Sequence, residues 1–323
     1  MKQQRGIVIH DTDCGEYWAR RLEKSGLNTV GIHPAGGIDA HLTLAACMDF
    51  VRTERFAAFR RRTEKAGIDV EFEMHALSWL LPRDLFLSKP AWFRMEENGE
   101  RSPRFNCCAS DPEALAYIRD RAAVLASAFP SDTHRYHFWI DDVAEARCFC
   151  PRCRDLSASD QALILTNAIA EGVRRADPEG ETAYLAYCET LNVPEHVSPL
   201  PFVFLEFAPI ARDFDRSLFD PASARNAVQV CRLPALLDFF GKKNAKVLDY
   251  WVDNSLFSGW KLPPKEFSLN ASVCREDVRE YLSRGFSHIT SFGCFLGENY
   301  RELYGDAPLG EYFRILSEAR TDS

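Results

Sequence analysis

The chain has 323 residues, 46% of them apolar, and a formal net charge of −8. That is enough apolar material for one large core, and the acidic balance argues against nucleic acid or an anionic membrane as the main partner. The opening residues, Met1-Lys2-Gln3-Gln4-Arg5-Gly6, run straight into an apolar strand pattern without the apolar stretch of an export signal. No run is long enough to span a bilayer, so the expected compartment is the cytoplasm.

Short β-type runs recur along the chain at 7–10, 29–33, 70–75, 136–141, 183–187, 202–207, 247–251 and 288–292. Helical periodicity fills most of the gaps. Asp111-Pro112-Glu113 is an N-cap with proline at the first helical position, leading into a helix that runs to Phe129. Further helices are expected over 159–176, 220–241, 275–285 and 308–319. Residues 189–201 hold three prolines and no convincing helix, which leaves a weak crossover between the fifth and sixth strands. Strands alternating with helices imply a parallel sheet covered by helices, and eight repeats imply closure into a (β/α)8 TIM barrel with long βα loops. An irregular seven-stranded barrel is the alternative. No linker divides the chain, so 1–323 is read as a single domain.

In such a barrel the chemistry sits at the C-terminal ends of the strands. Those ends carry His10, Asp11 and Asp13; His33; Glu73 and His75; Asp141 and Asp142; Tyr187 and Glu189; Glu206; and Asp249, Trp251 and Asp253. Each alone is as readily a helix cap or a loop ion pair, but the set as a whole points to a functional rim. Asp141-Asp142 is the sharpest item. Two close carboxylates cannot both ionise freely, so one keeps a raised pKa and can donate a proton, as a general acid for glycosidic cleavage must. Glu206 and Asp249 are candidates for a second carboxylate, with a pairing of Glu206 to Arg212 as the structural alternative. His33, His75, Tyr187, Arg212, Asp249, Trp251 and Asp253 are candidate substrate contacts. Trp92, Trp251 and Trp260 could stack on sugar rings, and the long segment 76–110 reads as a lid.

These segments in order resemble domain-of-unknown-function family 4838, a family of bacterial glycoside-hydrolase-like barrels. The resemblance rests on Gly26-Leu27-Asn28-Thr29-Val30-Gly31-Ile32-His33, Glu73-Met74-His75, Trp139-Ile140-Asp141-Asp142 with the Cys-x-Cys-x-x-Cys cluster after it, Ser159-Asp160-Gln161, Leu185-Ala186-Tyr187, Ala208-Pro209-Ile210-Ala211-Arg212 and Leu248-Asp249-Tyr250-Trp251-Val252-Asp253. It implies a glycoside hydrolase, and the lack of an export signal points to a small intracellular glycoside or oligosaccharide. Phe138-Trp139-Ile140-Asp141-Asp142-Val143 is also similar to the strand-four motif of O-GlcNAcase and hyaluronidase-like hexosaminidases. That likeness implies an N-acetylhexosaminide, with Asp141 orienting the substrate's acetamido group as nucleophile and Asp142 as general acid. The competing readings are a metal-dependent sugar isomerase or hydrolase using His10, His33 and His75, and a non-catalytic sugar-binding barrel. No cofactor is expected for the chemistry, and the sequence does not set the oligomeric state.

Eleven cysteines in a reducing compartment are expected to be mostly buried free thiols. Cys148, Cys150 and Cys153 stand apart. Their spacing suits a shared structural zinc, with a fourth ligand from elsewhere such as Cys107 or Cys108. Packed thiols shaping the same loop are the alternative.

Overall fold

The computed structural model describes residues 3–143 and 145–319. Its eight strands are β1 (Gln4–His10), β2 (Thr29–His33), β3 (Asp69–His75), β4 (Arg135–Trp139), β5 (Glu181–Ala186), β6 (Val203–Phe207), β7 (Lys246–Asp249) and β8 (His288–Ser291). They close into a barrel in the order β1 to β8 and back to β1, with parallel pairing of β1 to β2 and β8, β3 to β4, β4 to β5, β6 to β7 and β7 to β8. The fold is therefore the (β/α)8 barrel, and the seven-stranded alternative falls. The strands read as near-continuous β-branched and aromatic runs because both faces of a covered parallel sheet are buried. β2, β4 and β6 are buried at every position.

Helix starts follow their caps. The Asp111 carboxylate accepts the N–H groups of Glu113 and Ala114 at the head of helix Pro112–Ala128. Ser157 and Asp160 form a reciprocal capping box on helix Ala158–Ala176. The helix expected over 220–241 is two helices, Ala224–Val230 and Leu233–Phe240, with a proline in the first turn of the second. The weak crossover is as expected: a 3-10 turn, Cys188–Leu191, then no helix before β6. What holds that linker is the side of helix Ala158–Ala176. Asp160 Oδ1 accepts the N–H groups of Glu195 and His196. Asn167 donates to the Ser198 carbonyl and accepts the Leu200 N–H.

The described chain divides into two compact units. One holds residues up to 33, 50–70 and those from 205 on; the other holds 34–49 and 71–204. The first unit has an apolar core packed between β1, β7, β8 and helices such as Ala271–Ser283 and Gly310–Glu318. The second is organised by the packing of helix Pro112–Ala128 on helix Ala158–Ala176. There Gly172 lets the two backbones meet: a Cβ would stand 2.2 Å from the Arg119 carbonyl oxygen. Among the described residues no helix is long and apolar enough to cross a membrane.

Candidate active site after the third, fourth and fifth strands

The second unit carries the Asp-Asp pair, and its two members differ sharply. Asp141 is 5% exposed. Its Oδ1 accepts the Ser78 N–H at 3.0 Å and its Oδ2 the Asn106 N–H at 2.6 Å, while the Arg83 guanidinium makes an ion pair with Oδ2. The Asn106 side chain returns the contact by accepting the Asp141 N–H at 3.1 Å. Both oxygens are thus engaged by the long segment after β3, and the carboxylate fastens that segment to the end of β4. Asp142 is half-buried and accepts a hydrogen bond from the Tyr187 hydroxyl at Oδ1, at 3.3 Å.

His75, the last residue of β3, lies on the same rim. Its Nδ1 stands 2.7 Å from the Ile140 carbonyl oxygen. A carbonyl can only accept, so Nδ1 carries the hydrogen, and in the neutral ring Nε2 keeps its lone pair. Gly36, in the loop after β2, leaves the space beside both groups open. A Cβ there would stand 3.0 Å from His75 Cδ2 and 3.4 Å from Asp142 Oδ2. Burial raises the Tyr187 phenol well above its ordinary value, and the nearby Asp142 charge adds to this, so Tyr187 stays a donor. Consecutive strand ends therefore present a half-buried histidine, carboxylate and phenol around one gap.

A small cavity of about 40 Å³ lies behind them, lined by His75, Asp141, Cys107, Tyr187 and Glu189 among others. It is too small for a sugar ring. A wider groove of about 840 Å³ shares Arg147, Ala158 and Glu189 with it and adds Arg94, Glu96, Glu145 and Phe149. That volume is typical of ligand sites. Glu189 is half-buried there and accepts the Glu145 N–H at 2.7 Å.

Most of the remaining expected site residues lie in the first unit and are built into the structure. Glu206 is fully buried on β6 and ion-paired at 3.1 Å, to Lys246 on β7 and not to Arg212. Arg212 instead spans Asp249 at 3.0 Å and Asp277 at 2.7 Å, all three side chains fully buried. Trp251 donates its indole N–H to Asp277 at 2.9 Å, and the Tyr281 hydroxyl donates to Asp249 at 2.8 Å. Asp249 ends β7 but is engaged in this network against helix Ala271–Ser283, so Arg212, Asp249 and Trp251 are tied up in a buried ion-pair and hydrogen-bond network. Asp253 is buried as the cap of the short helix Asn254–Phe257, accepting the Ser255 and Leu256 N–H groups. His33 is 7% exposed, packed edge-on against Phe292, and its carbonyl accepts from His10 Nδ1 at 3.1 Å. Near His10, burial raises the Asp13 carboxyl to about 6, against the pull of His10 and Arg55. Trp92 is a packing residue against Tyr117, with its N–H on Glu113, whereas Trp260 is 64% exposed.

Among the described residues, two clusters could hold a metal. Glu71, Glu73 and His137 bring ligand atoms within 4.8 Å of one another, but all three are buried inside the unit. The second is the cysteine cluster, completed by Cys108 and not by Cys107, which lines the small cavity instead. Sequence reasoning missed Arg83, Asn106 and Gly36. Nothing in their local pattern signals them, because each acquires its role from a partner tens of residues away.

A closed parallel barrel with polar side chains at the C-terminal strand ends defines a TIM-barrel protein with its candidate site on the strand-end rim. The chain belongs to the family described as Domain of unknown function (DUF4838), whose model matches residues 44–230. No curated protein matches it. Among solved structures it resembles the endo-β-1,4-mannanase of Thermotoga petrophila, at a TM-score of 0.54 and 9% identity over 98% of this chain and 76% of that one. It also resembles ZgEngAGH5_4 in complex with cellotriose, at 0.52 and 12% over 98% and 96%. A third is the Thermus thermophilus α-galactosidase with p-nitrophenyl α-D-galactopyranoside, at 0.50 and 14% over 99% and 62%. At these identities the likeness is one of fold.

Proposed function

We propose that the chain is a glycoside hydrolase acting on a small intracellular glycoside or oligosaccharide, with Asp142 as its proton donor. The observation that carries this reading is the division of labour in the Asp-Asp pair: Asp141 is spent on Ser78, Arg83 and Asn106, while Asp142 remains half-buried at the rim beside His75 and Tyr187. The fold's likeness to barrels crystallised with cellotriose and an aryl galactoside supports a sugar as the substrate class.

Glycosidic cleavage leaves an alkoxide, so the leaving oxygen needs a proton as its bond to the anomeric carbon breaks. Asp142 supplies that proton and afterwards takes one from the attacking water. Tyr187 fixes the carboxylate's orientation through Oδ1, leaving Oδ2 towards the gap at Gly36. The Nε2 lone pair of His75 accepts a substrate hydroxyl. An N-acetylhexosaminide suits the site best, because its acetamide oxygen attacks the anomeric carbon and makes a second protein carboxylate unnecessary. With Asp141 occupied, the acetamide would be oriented by Tyr187 or His75. Should the substrate lack an acetamide, Glu189 is the second carboxylate.

A panel of nitrophenyl glycosides tests the reading. Turnover of one of them, retained in Glu189→Gln, is the result expected for an N-acetylhexosaminide; loss in Glu189→Gln would move the chemistry to a two-carboxylate mechanism. Binding of a sugar without turnover of any glycoside would leave a carbohydrate-binding barrel in its place.

A further inference from the structure

We propose that Cys108, Cys148, Cys150 and Cys153 form a structural zinc site that ties the long segment after β3 to the loop after β4. The four sulfurs all lie within 4.8 Å of one another and all four residues are buried. Four thiolates at about 2.3 Å from one ion, at tetrahedral angles, stand about 3.8 Å apart. The Cys108 sulfur is 3.6 Å from that of Cys150 and 3.9 Å from that of Cys153. These separations match the edges of such a tetrahedron and are far from the roughly 2.05 Å of a disulfide. A pair of disulfides would need the sulfurs to move together in twos, whereas the Cys108 sulfur stands at similar distances from those of Cys150 and Cys153.

The surroundings are those of bound thiolates. The Met95 N–H points at the Cys148 sulfur at 3.2 Å, and the Ser110 hydroxyl lies 2.8 Å from that of Cys153. Hydrogen bonds of this kind orient ligands around a metal and spread the negative charge of the sulfurs. Gln161, itself 4% exposed, fixes the loop backbone: its Oε1 accepts the Cys148 N–H, and its Nε2 donates to the carbonyls of Cys148 and Cys153. Three of the sulfurs come from one short loop, and the fourth comes from a segment some 40 residues upstream. That geometry makes the ion a staple between two loops with little regular structure of their own. No position is left open for water, so the site is structural and not catalytic.

The test is metal content by elemental analysis on the full chain, expressed with zinc and purified without chelator. About one zinc per chain is expected, falling to near zero in Cys108→Ser and staying near one in Cys107→Ser, its buried neighbour outside the cluster. Should Cys108→Ser fail to fold, cobalt titration of chelator-stripped wild-type protein decides: strong thiolate-to-cobalt charge-transfer absorption, saturating at about one ion per chain, is expected. The proposal is overturned by four titratable thiols with no metal taken up on adding zinc, by disulfides among the four, or by zinc loss in Cys107→Ser with retention in Cys108→Ser.

Discussion

At the scale of single residues, Asp141 and Asp142 are adjacent in sequence and opposite in consequence. Removing the Asp141 carboxylate strands two backbone N–H groups and the Arg83 guanidinium. Asp141→Ala is therefore expected to destabilise the chain by about 3 kcal/mol, read as a shift in the urea midpoint. Asp142→Asn keeps the shape of a half-buried side chain and a hydrogen-bond acceptor for Tyr187, so its melting temperature should stay near wild type while turnover falls. Equal destabilisation by both would return the pair to a shared structural role. Gly36 gives an independent check on the gap between His75 and Asp142. An alanine Cβ there presses on His75 Cδ2 at 3.0 Å, so Gly36→Ala should raise KM with little change in melting temperature. Unchanged kinetics would mean that substrate does not occupy that gap.

At the scale of elements, much was legible because local signals and tertiary packing agree. The N-cap at Asp111 and the eight apolar runs read correctly to within a few residues. The helix over 220–241 was misread as continuous because its periodicity survives the break near Arg232, where a new helix starts with Pro234 in its first turn. The 192–202 linker shows what replaces a helix. Backbone groups of Glu195, His196, Ser198 and Leu200 bond to the side chains of Asp160 and Asn167, partners that no window of sequence around the linker contains. Burial alone would raise the Asp160 carboxyl, but hydrogen bonds from His196, Ser157 and Glu195 outweigh it and hold the group below its ordinary 3.8. A depressed carboxylate contributes stability above its unfolded value, and that contribution is lost as pH falls through the folded one. Acid below about pH 4 should thus raise amide exchange at Glu195 and His196 first, and Asp160→Asn should show the fast exchange at neutral pH. Exchange there that ignores both acid and the substitution would mean the linker is held by something else.

At the scale of the whole molecule, the polar residues at the C-terminal strand ends divide between a half-buried rim and the interior. Glu206, Asp249 and Trp251 lie at or just past strand ends, as expected, yet they and Arg212 pair with one another or with Lys246, Asp277 and Tyr281 in the interior. Sequence gives the end of a strand. It does not tell which side of the sheet the last side chain takes, and a shift of one residue reverses that side. His75, Asp142 and Tyr187 are half-buried at or just past the ends of three consecutive strands, and the assignment of chemistry rests on them. The most direct measurement is the leaving-group dependence of Asp142→Asn, comparing kcat/KM on an activated aryl glycoside with that on the matching unactivated alkyl glycoside or oligosaccharide. A good leaving group needs little protonation, so the substitution should cost on the order of 10²–10⁴-fold on the unactivated substrate and far less on the aryl one. Equal losses on both substrates would contradict the assignment of Asp142 as the proton donor.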